Sequence, residues 1–128
     1  MTLDSSAILA ILFQERGFES LMDRLLAAQT RVVGAPTLAE TAIVLSAKLG
    51  EGAQGMIARF LQTFDVNTVP FGDAHWKEAC EAFLRFGRGR HRAGLNFGDC
   101  LSYAVARLGE QPLLFVGNDF SRTDIQPA

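Results

Sequence analysis

Apolar positions along the chain fall into two rhythms, one of helical spacing and one of short unbroken runs. MTLDSSAILAILF predicts a very short strand over residues 1–4, then a helix carrying Ile8, Leu9, Ile11 and Leu12, with Ser5 or Ser6 as its N-cap. Phe18 to Ala28 places Leu21, Met22, Leu25 and Leu26 at helical spacing, and RVVGAP reads as a buried β-branched strand ending at Gly34. Pro36 and Thr37 open a helix that Gly50 stops. A fourth helix is expected from about Gly52 to Thr63, and FDVNTVPF holds the next strand, closed by Pro70. Asp73 is placed to cap a fifth helix bearing Trp76, Ala79, Cys80, Phe83 and Leu84, and the helical spacing of Trp76 and the phenylalanines assigns them to the core. GRGRHRAGLN has no usable periodicity and is expected to be a loop. A helix from about Phe97 to Leu108 follows, then PLLFVG as a fully buried strand and TDIQ as a short last one. Strands alternating with helices predict a parallel sheet covered on both faces, an α/β three-layer sandwich.

Composition narrows the class. A length of 128 residues suits one domain, residues 1–128, large enough to bury a core without staples. With 48% hydrophobic and 20% charged residues the chain is globular, not disordered. Every apolar run is broken well short of the roughly 18 residues that a transmembrane helix needs, and acid comes early at the N-terminus, so a cytoplasmic protein without membrane contact is expected. Cys80 and Cys100 lie in separate predicted helices without Cys-x-x-Cys spacing. Neither zinc nor a disulfide is indicated, and both read as buried, reduced thiols. A net charge of −2 excludes bulk basicity as the means of holding nucleic acid and leaves local patches open.

Four carboxylates change this picture. In APTLAETAIVLSAK, Glu40 shares a helix face with Ile43, Val44 and Ala47, poor company for an ion that is expensive to bury without a partner. Asp4 ends the first predicted strand, Asp119 follows the PLLFV strand, and Asp99 stands in the first turn of the helix after the basic loop. In an open parallel sheet, ligands bind outside the carboxyl ends of the strands where the strand order reverses, so all four are expected at one sheet edge. Taken singly, Asp4 and Asp99 also read as helix caps and Asp119 as a turn residue. Taken together, they repel unless a cation lies between them. An all-oxygen donor set suits Mg²⁺, with Mn²⁺ as a possible substitute, and such ions recur in phosphoryl chemistry. Metal-assisted hydrolysis of a phosphoester is the expected reaction class.

LDSSAI, LAETAIV with its internal Glu40, GLNFGDCLSYAVA and LLFVGNDF together resemble the PIN-domain ribonucleases, specifically the VapC-type toxins of bacterial toxin–antitoxin pairs. The resemblance covers essentially the whole chain, and RHRAGLNFGDC with its spacing to the last strand points to one branch. It implies a five-stranded parallel sheet in the order 3-2-1-4-5. It also implies that Asp4, Glu40 and Asp99 are metal-site acids, that Ser6 is the small hydroxyl accompanying the first, and that Asn96 is the polar residue three before the third. Many family members carry an Asp in a stretch like T-x-D-x-D-F where this chain has Gly117, so Asp119 or Asn118 fills in, or the site holds one tight ion and a weaker second. The resemblance further implies a cognate VapB-type antitoxin, a homodimer and a toxin–antitoxin hetero-oligomer.

No acid occurs between Ala82 and Gly98, whereas Arg85, Arg88, Arg90, His91 and Arg92 do. With glycines at 87, 89 and 94, Arg88, Arg90, His91 and Arg92 are expected to wrap RNA phosphates near the metal. Asp4 and Asp99 then hold the ion, and Glu40 is a further ligand or positions the attacking water. Two other functions fit these residues: a non-catalytic RNA-binding module, and a different metal-dependent phosphohydrolase, although neither a D-x-D nucleophile motif nor a cap domain is present.

Overall fold

A computed structural model describes residues 1–128. In chain order the elements are β1 (Thr2–Leu3), α1 (Ser5–Leu12), α2 (Phe18–Ala27), β2 (Val32–Gly34), α3 (Ala35–Leu49), α4 (Ala53–Thr63), β3 (Asn67–Val69), α5 (Asp73–Phe86), α6 (Phe97–Leu108) and β4 (Leu113–Leu114). Single 3₁₀ turns cover Gly50–Gly52 and Phe120–Arg122. No helix is long and apolar enough to cross a membrane.

The strands form a parallel sheet in the order β3-β2-β1-β4, with Thr2 opposite Val32 on one side and Thr2 and Leu3 opposite Leu113 and Leu114 on the other. The chain steps outward from β1 to β3 and then returns across β1 to β4, which places the reversal between β1 and β4. Successive side chains on a strand point to opposite faces. Leu3, Val33 and Leu114 pack with Ile8, Ile11, Leu21, Leu25 and Phe60 of α1, α2 and α4, whereas Leu113 packs with Ala82, Cys100 and Tyr103 of α5 and α6. One core thus lies on each side of the sheet, as a three-layer sandwich requires.

The sheet has four strands, not the five expected. TDIQ is irregular, and only a single parallel bridge joins Leu113 to Pro127. The Thr123 hydroxyl accepts the Ile125 N–H at 3.2 Å, diverting a donor that a ladder would use, and Pro127 has no N–H to extend one. Besides the two backbone bonds that Leu113 makes with Gln126 and Ala128, side chains tie the segment down. Asp124 accepts hydrogen bonds from the Tyr103 hydroxyl at 2.6 Å and from Arg85 Nη2 at 3.0 Å.

Two helix starts also differ from expectation. Asp4, not Ser5 or Ser6, caps α1, because its backbone is extended and its carboxylate reaches the Ser6 N–H, while both serines are already helical. Gly72 caps α5, with the ring of His75 accepting the Gly72 N–H. Asp73 lies one residue inside and accepts the Trp76 Nε1–H at 3.2 Å. That contact holds the indole outward, so Trp76 is exposed, as are Phe83 and Phe97, and Cys80 lies on the surface while Cys100 is buried. The interior of the α5–α6 contact is filled by Ala79, Ala82 and Phe86.

Candidate active site

The carboxyl ends of β1 and β4 meet at Asp4, whose backbone N–H donates to the Leu114 carbonyl. The residue is 3% exposed, and both of its carboxylate oxygens accept hydrogen bonds from the fold. Oδ2 accepts the Ser6 N–H at 3.1 Å and the Ser6 hydroxyl at 2.6 Å, and Ser6 Oγ in turn accepts the Val116 N–H at 3.0 Å. Ser6 therefore staples the exit of β4 to the first acid. Oδ1 accepts the Ser102 hydroxyl at 2.6 Å, and Ser102 Oγ lies 3.2 Å from Thr37 Oγ1. Sequence reasoning missed Ser102 and Thr37. A signal existed: Ser102 is three residues after Asp99 and Thr37 three before Glu40, the spacing that places each on the same helix face as an acid.

Asn96 caps α6 and exchanges hydrogen bonds with Asp99 in a capping box. Its Oδ1 accepts the Asp99 N–H at 2.9 Å, and Asp99 Oδ2 accepts the Asn96 N–H at 3.0 Å. This fixes Oδ2 of Asp99, and no protein donor meets Oδ1. Glu40 lies one turn into α3 with its carboxylate against Gly98, where a Cβ would come within 2.4 Å of Oε2. A side chain at 98 would push the Glu40 carboxylate, the free end of a flexible side chain, out of this place. The apolar company of Glu40 proves to be no buried face: Thr37, Thr41 and Leu45 form the inward side of α3, and Ile43 is 71% exposed. Glu40, Ile43 and Val44 line an open groove of about 550 Å³ with Phe71, Phe97 and Leu101.

Asp119 and Asn118 are exposed in the turn after β4, with Asp119 leading the Phe120–Arg122 turn. The Asn118 carbonyl accepts the Ser121 hydroxyl. Gly117 between them and Val116 has φ +104°, a backbone that side chains disfavour. Any side chain at that position would be strained on this backbone.

The four acids share one electrostatic environment. Burial pushes the Asp99 carboxyl up to about 6, the Asn96 N–H pulls it down, and the charges of Asp4, Asp119 and Glu40 raise it further. No three His, Cys, Asp or Glu side chains are gathered tightly enough to cage a metal ion by themselves. Mg²⁺ does not need such a cage, since it keeps several waters and binds through one or two carboxylates. The donor set is hard oxygen throughout, and a cation would relieve the mutual repulsion at Asp99, so these residues fit Mg²⁺ or Mn²⁺.

The basic segment forms a hydrogen-bonded turn. Arg88 N–H donates to the Leu95 carbonyl, and Leu95 N–H to that of Phe86. Gly89 and Gly94 take positive φ, while Gly87 is pressed against Phe83. His91 Nδ1 accepts the Ala93 N–H, and its ring meets Phe86 edge-on. Arg90 Nε donates to the Leu84 carbonyl. Arg122 Nη1 donates to the Arg92 carbonyl at 3.1 Å, which ties the loop to the turn that begins at Asp119. The one ion pair in the molecule is Arg85–Asp124, so Arg88, Arg90 and Arg92 carry exposed charge without a carboxylate partner.

Residues 1–126 match the PIN domain family. Ribonuclease VapC36 of Mycobacterium tuberculosis is 46% identical over 127 residues, covering 98% of this chain and 91% of the relative. Ribonuclease VapC of Mycolicibacterium smegmatis is 40% identical over 126 residues, covering 98% and 97%. Among solved structures, the Mycobacterium tuberculosis toxin VapC20, which cleaves the sarcin–ricin loop, superposes with a TM-score of 0.78 at 19% identity, covering 99% of this chain and 97% of that one. VapBC2 from Rickettsia felis, bound to a promoter DNA fragment, gives a TM-score of 0.75 at 17% identity, covering 98% and 94%. These structures share the fold, and the sequence matches carry the relationship further: the chain belongs to the PIN domain family, in the branch of the VapC ribonucleases.

Proposed function

We propose that the chain is a divalent-metal-dependent endoribonuclease, the toxin of a VapBC-type pair, acting in the cytoplasm as one domain over residues 1–128. The observation that carries this reading is Asp99, held at the start of α6 under the combined charge of Asp4, Glu40 and Asp119 beside the strand-order reversal. When bound, Mg²⁺ or Mn²⁺ would polarise the scissile phosphate and activate water. Asp4 and Asp99 supply the oxygen donors, each kept in one rotamer by its hydrogen bonds. Glu40, lodged against Gly98, is a further ligand or accepts the proton of the attacking water. Asp119 adds negative charge from the turn after β4. Arg88, Arg90, His91 and Arg92 would donate to RNA phosphates, a reading supported by their unpaired exposed charge and by the bond that ties the Arg92 carbonyl to the turn beginning at Asp119.

This reading gives the chain a VapB-type antitoxin partner, a homodimeric state and a toxin–antitoxin hetero-oligomer. Ile43 and Phe97, 71% and 81% exposed beside Glu40, are uncovered apolar surface of the kind a partner buries. Incubating purified protein with a pool of tRNA and mRNA fragments, with Mg²⁺ or Mn²⁺ against chelator, tests the activity. Metal-dependent internal cuts support it. RNA binding that is indifferent to metal, without cuts, would assign the chain to the non-catalytic binding class, with Gly117 as the first suspect.

A further inference from the structure

Two helices each deliver an acid and a buried hydroxyl one turn apart to the same place: α6 brings Asp99 and Ser102, and α3 brings Glu40 and Thr37. Ser102 and Thr37 are each 1% exposed. Asp4 can only accept hydrogen bonds when ionised, so the Ser102 proton points at Oδ1, and the Thr37 hydroxyl is left to donate to Ser102 Oγ. The order of donation is therefore Thr37 to Ser102 to Asp4. A matching path runs from the Val116 N–H through Ser6 to Oδ2.

These paths decide which part of Asp4 remains free. A carboxylate offers about four acceptor directions, two on each oxygen. On Oδ2 both are taken by Ser6, through its N–H and its hydroxyl. On Oδ1 one is taken by Ser102. A single direction is left, and the Ser102 hydroxyl fixes where it points.

We infer that Ser102 is a positioning residue for the metal site, aligning Asp4 so that only Oδ1 can bind the ion, and that Thr37 supports it by donating to the Ser102 oxygen. This rests on the proposed metal-dependent reading of Asp4. Hydrogen-bonding partners of metal ligands typically account for 10- to 100-fold in metal affinity.

The test is Mn²⁺ binding to the full chain, followed by the electron paramagnetic resonance signal of free Mn²⁺, with urea unfolding of the metal-free proteins alongside. Ser102→Ala should weaken Mn²⁺ binding by about 10-fold or more. Thr37→Val keeps the side-chain shape, removes the outer donor and should weaken binding by a smaller factor, about 2- to 5-fold. Both variants should unfold cooperatively. A Ser102→Ala protein that binds Mn²⁺ within about twofold of wild type overturns the role of Ser102 and leaves the metal site standing. Wild-type protein that binds no Mn²⁺ overturns the metal reading itself, and the inference with it. Unchanged Mn²⁺ affinity in Thr37→Val removes Thr37 from the relay.

Discussion

Replacing Asp99 by Asn should stabilise the metal-free protein, and the size and pH dependence of the gain follow from the surroundings of the carboxyl. Its pKa stands at about 6 in the folded chain against 3.8 for a free side chain, chiefly through burial and then through Asp4, Asp119 and Glu40. A raised carboxyl pKa means that the folded state prefers the neutral acid. The contribution of Asp99 to stability is therefore fully present below about pH 4 and is lost as pH rises through about 6. A shift of about 2 units corresponds to at most ~3 kcal/mol, and partial solvent access reduces this to about 1–2 kcal/mol. Asn removes the charge while its oxygen still accepts the Asn96 N–H, so the capping box of α6 survives. Thermal unfolding in chelator at about pH 7.5 should show Asp99→Asn above wild type by about 4–8 °C, narrowing to nothing near pH 4. Excess Mg²⁺ should raise wild type and leave the variant where it is, reversing the order. A variant that is no more stable than wild type at neutral pH, or a difference that does not shrink with acid, would refute the electrostatic account of Asp99.

Other expectations follow from single contacts. Gly98→Ala should displace the Glu40 carboxylate and reduce RNA cleavage about 100-fold while changing the unfolding midpoint little, read by parallel kinetics and urea titration. Arg90→Ala or Arg92→Ala should weaken RNA binding and lower the slope of log affinity against log salt by about one unit, and an unchanged slope would remove that arginine from the interface. Tyr103 is the one tyrosine, and burial with its hydrogen bond to Asp124 pushes the phenol up to about 12, so tyrosinate absorbance should be absent at pH 10–11 while the chain stays folded. Tyr103→Phe should destabilise by about 1–2 kcal/mol in urea unfolding, because Asp124 loses its shortest donor.

Much of the architecture was legible in the sequence because helical and strand rhythms coincide with burial. The order of the ten elements, the parallel sheet and the reversal beside Asp4 all follow from apolar spacing and from the family resemblance. The misreadings arise where side chains compete with the backbone. A fifth strand at TDIQ is pre-empted by the Thr123 hydroxyl and by the hold of Tyr103 and Arg85 on Asp124. Asp4 takes the cap that serine preference suggested for Ser5 or Ser6, and Trp76 is turned outward by Asp73. Periodicity does not separate the inward face of α3 from a groove wall, and of the apolar neighbours of Glu40, Ile43 and Ala47 are exposed and Val44 is half-buried. Ser102 and Thr37 share a helix face with Asp99 and Glu40 at a spacing of three, but a lone helical hydroxyl signals its partner weakly, since the acid that Ser102 meets is Asp4, far away in the chain.

Single-turnover RNA cleavage by wild type, Asp4→Asn, Asp99→Asn and the double variant, at saturating Mg²⁺ and with folding verified for each, tests the central claim most directly. If the two acids hold one ion, each single variant should lose about 1000-fold or more, and the double variant should lose no more than either alone, as groups acting as a unit do. Full activity in either single variant, or losses that multiply in the double, would contradict a shared metal site at the end of β1.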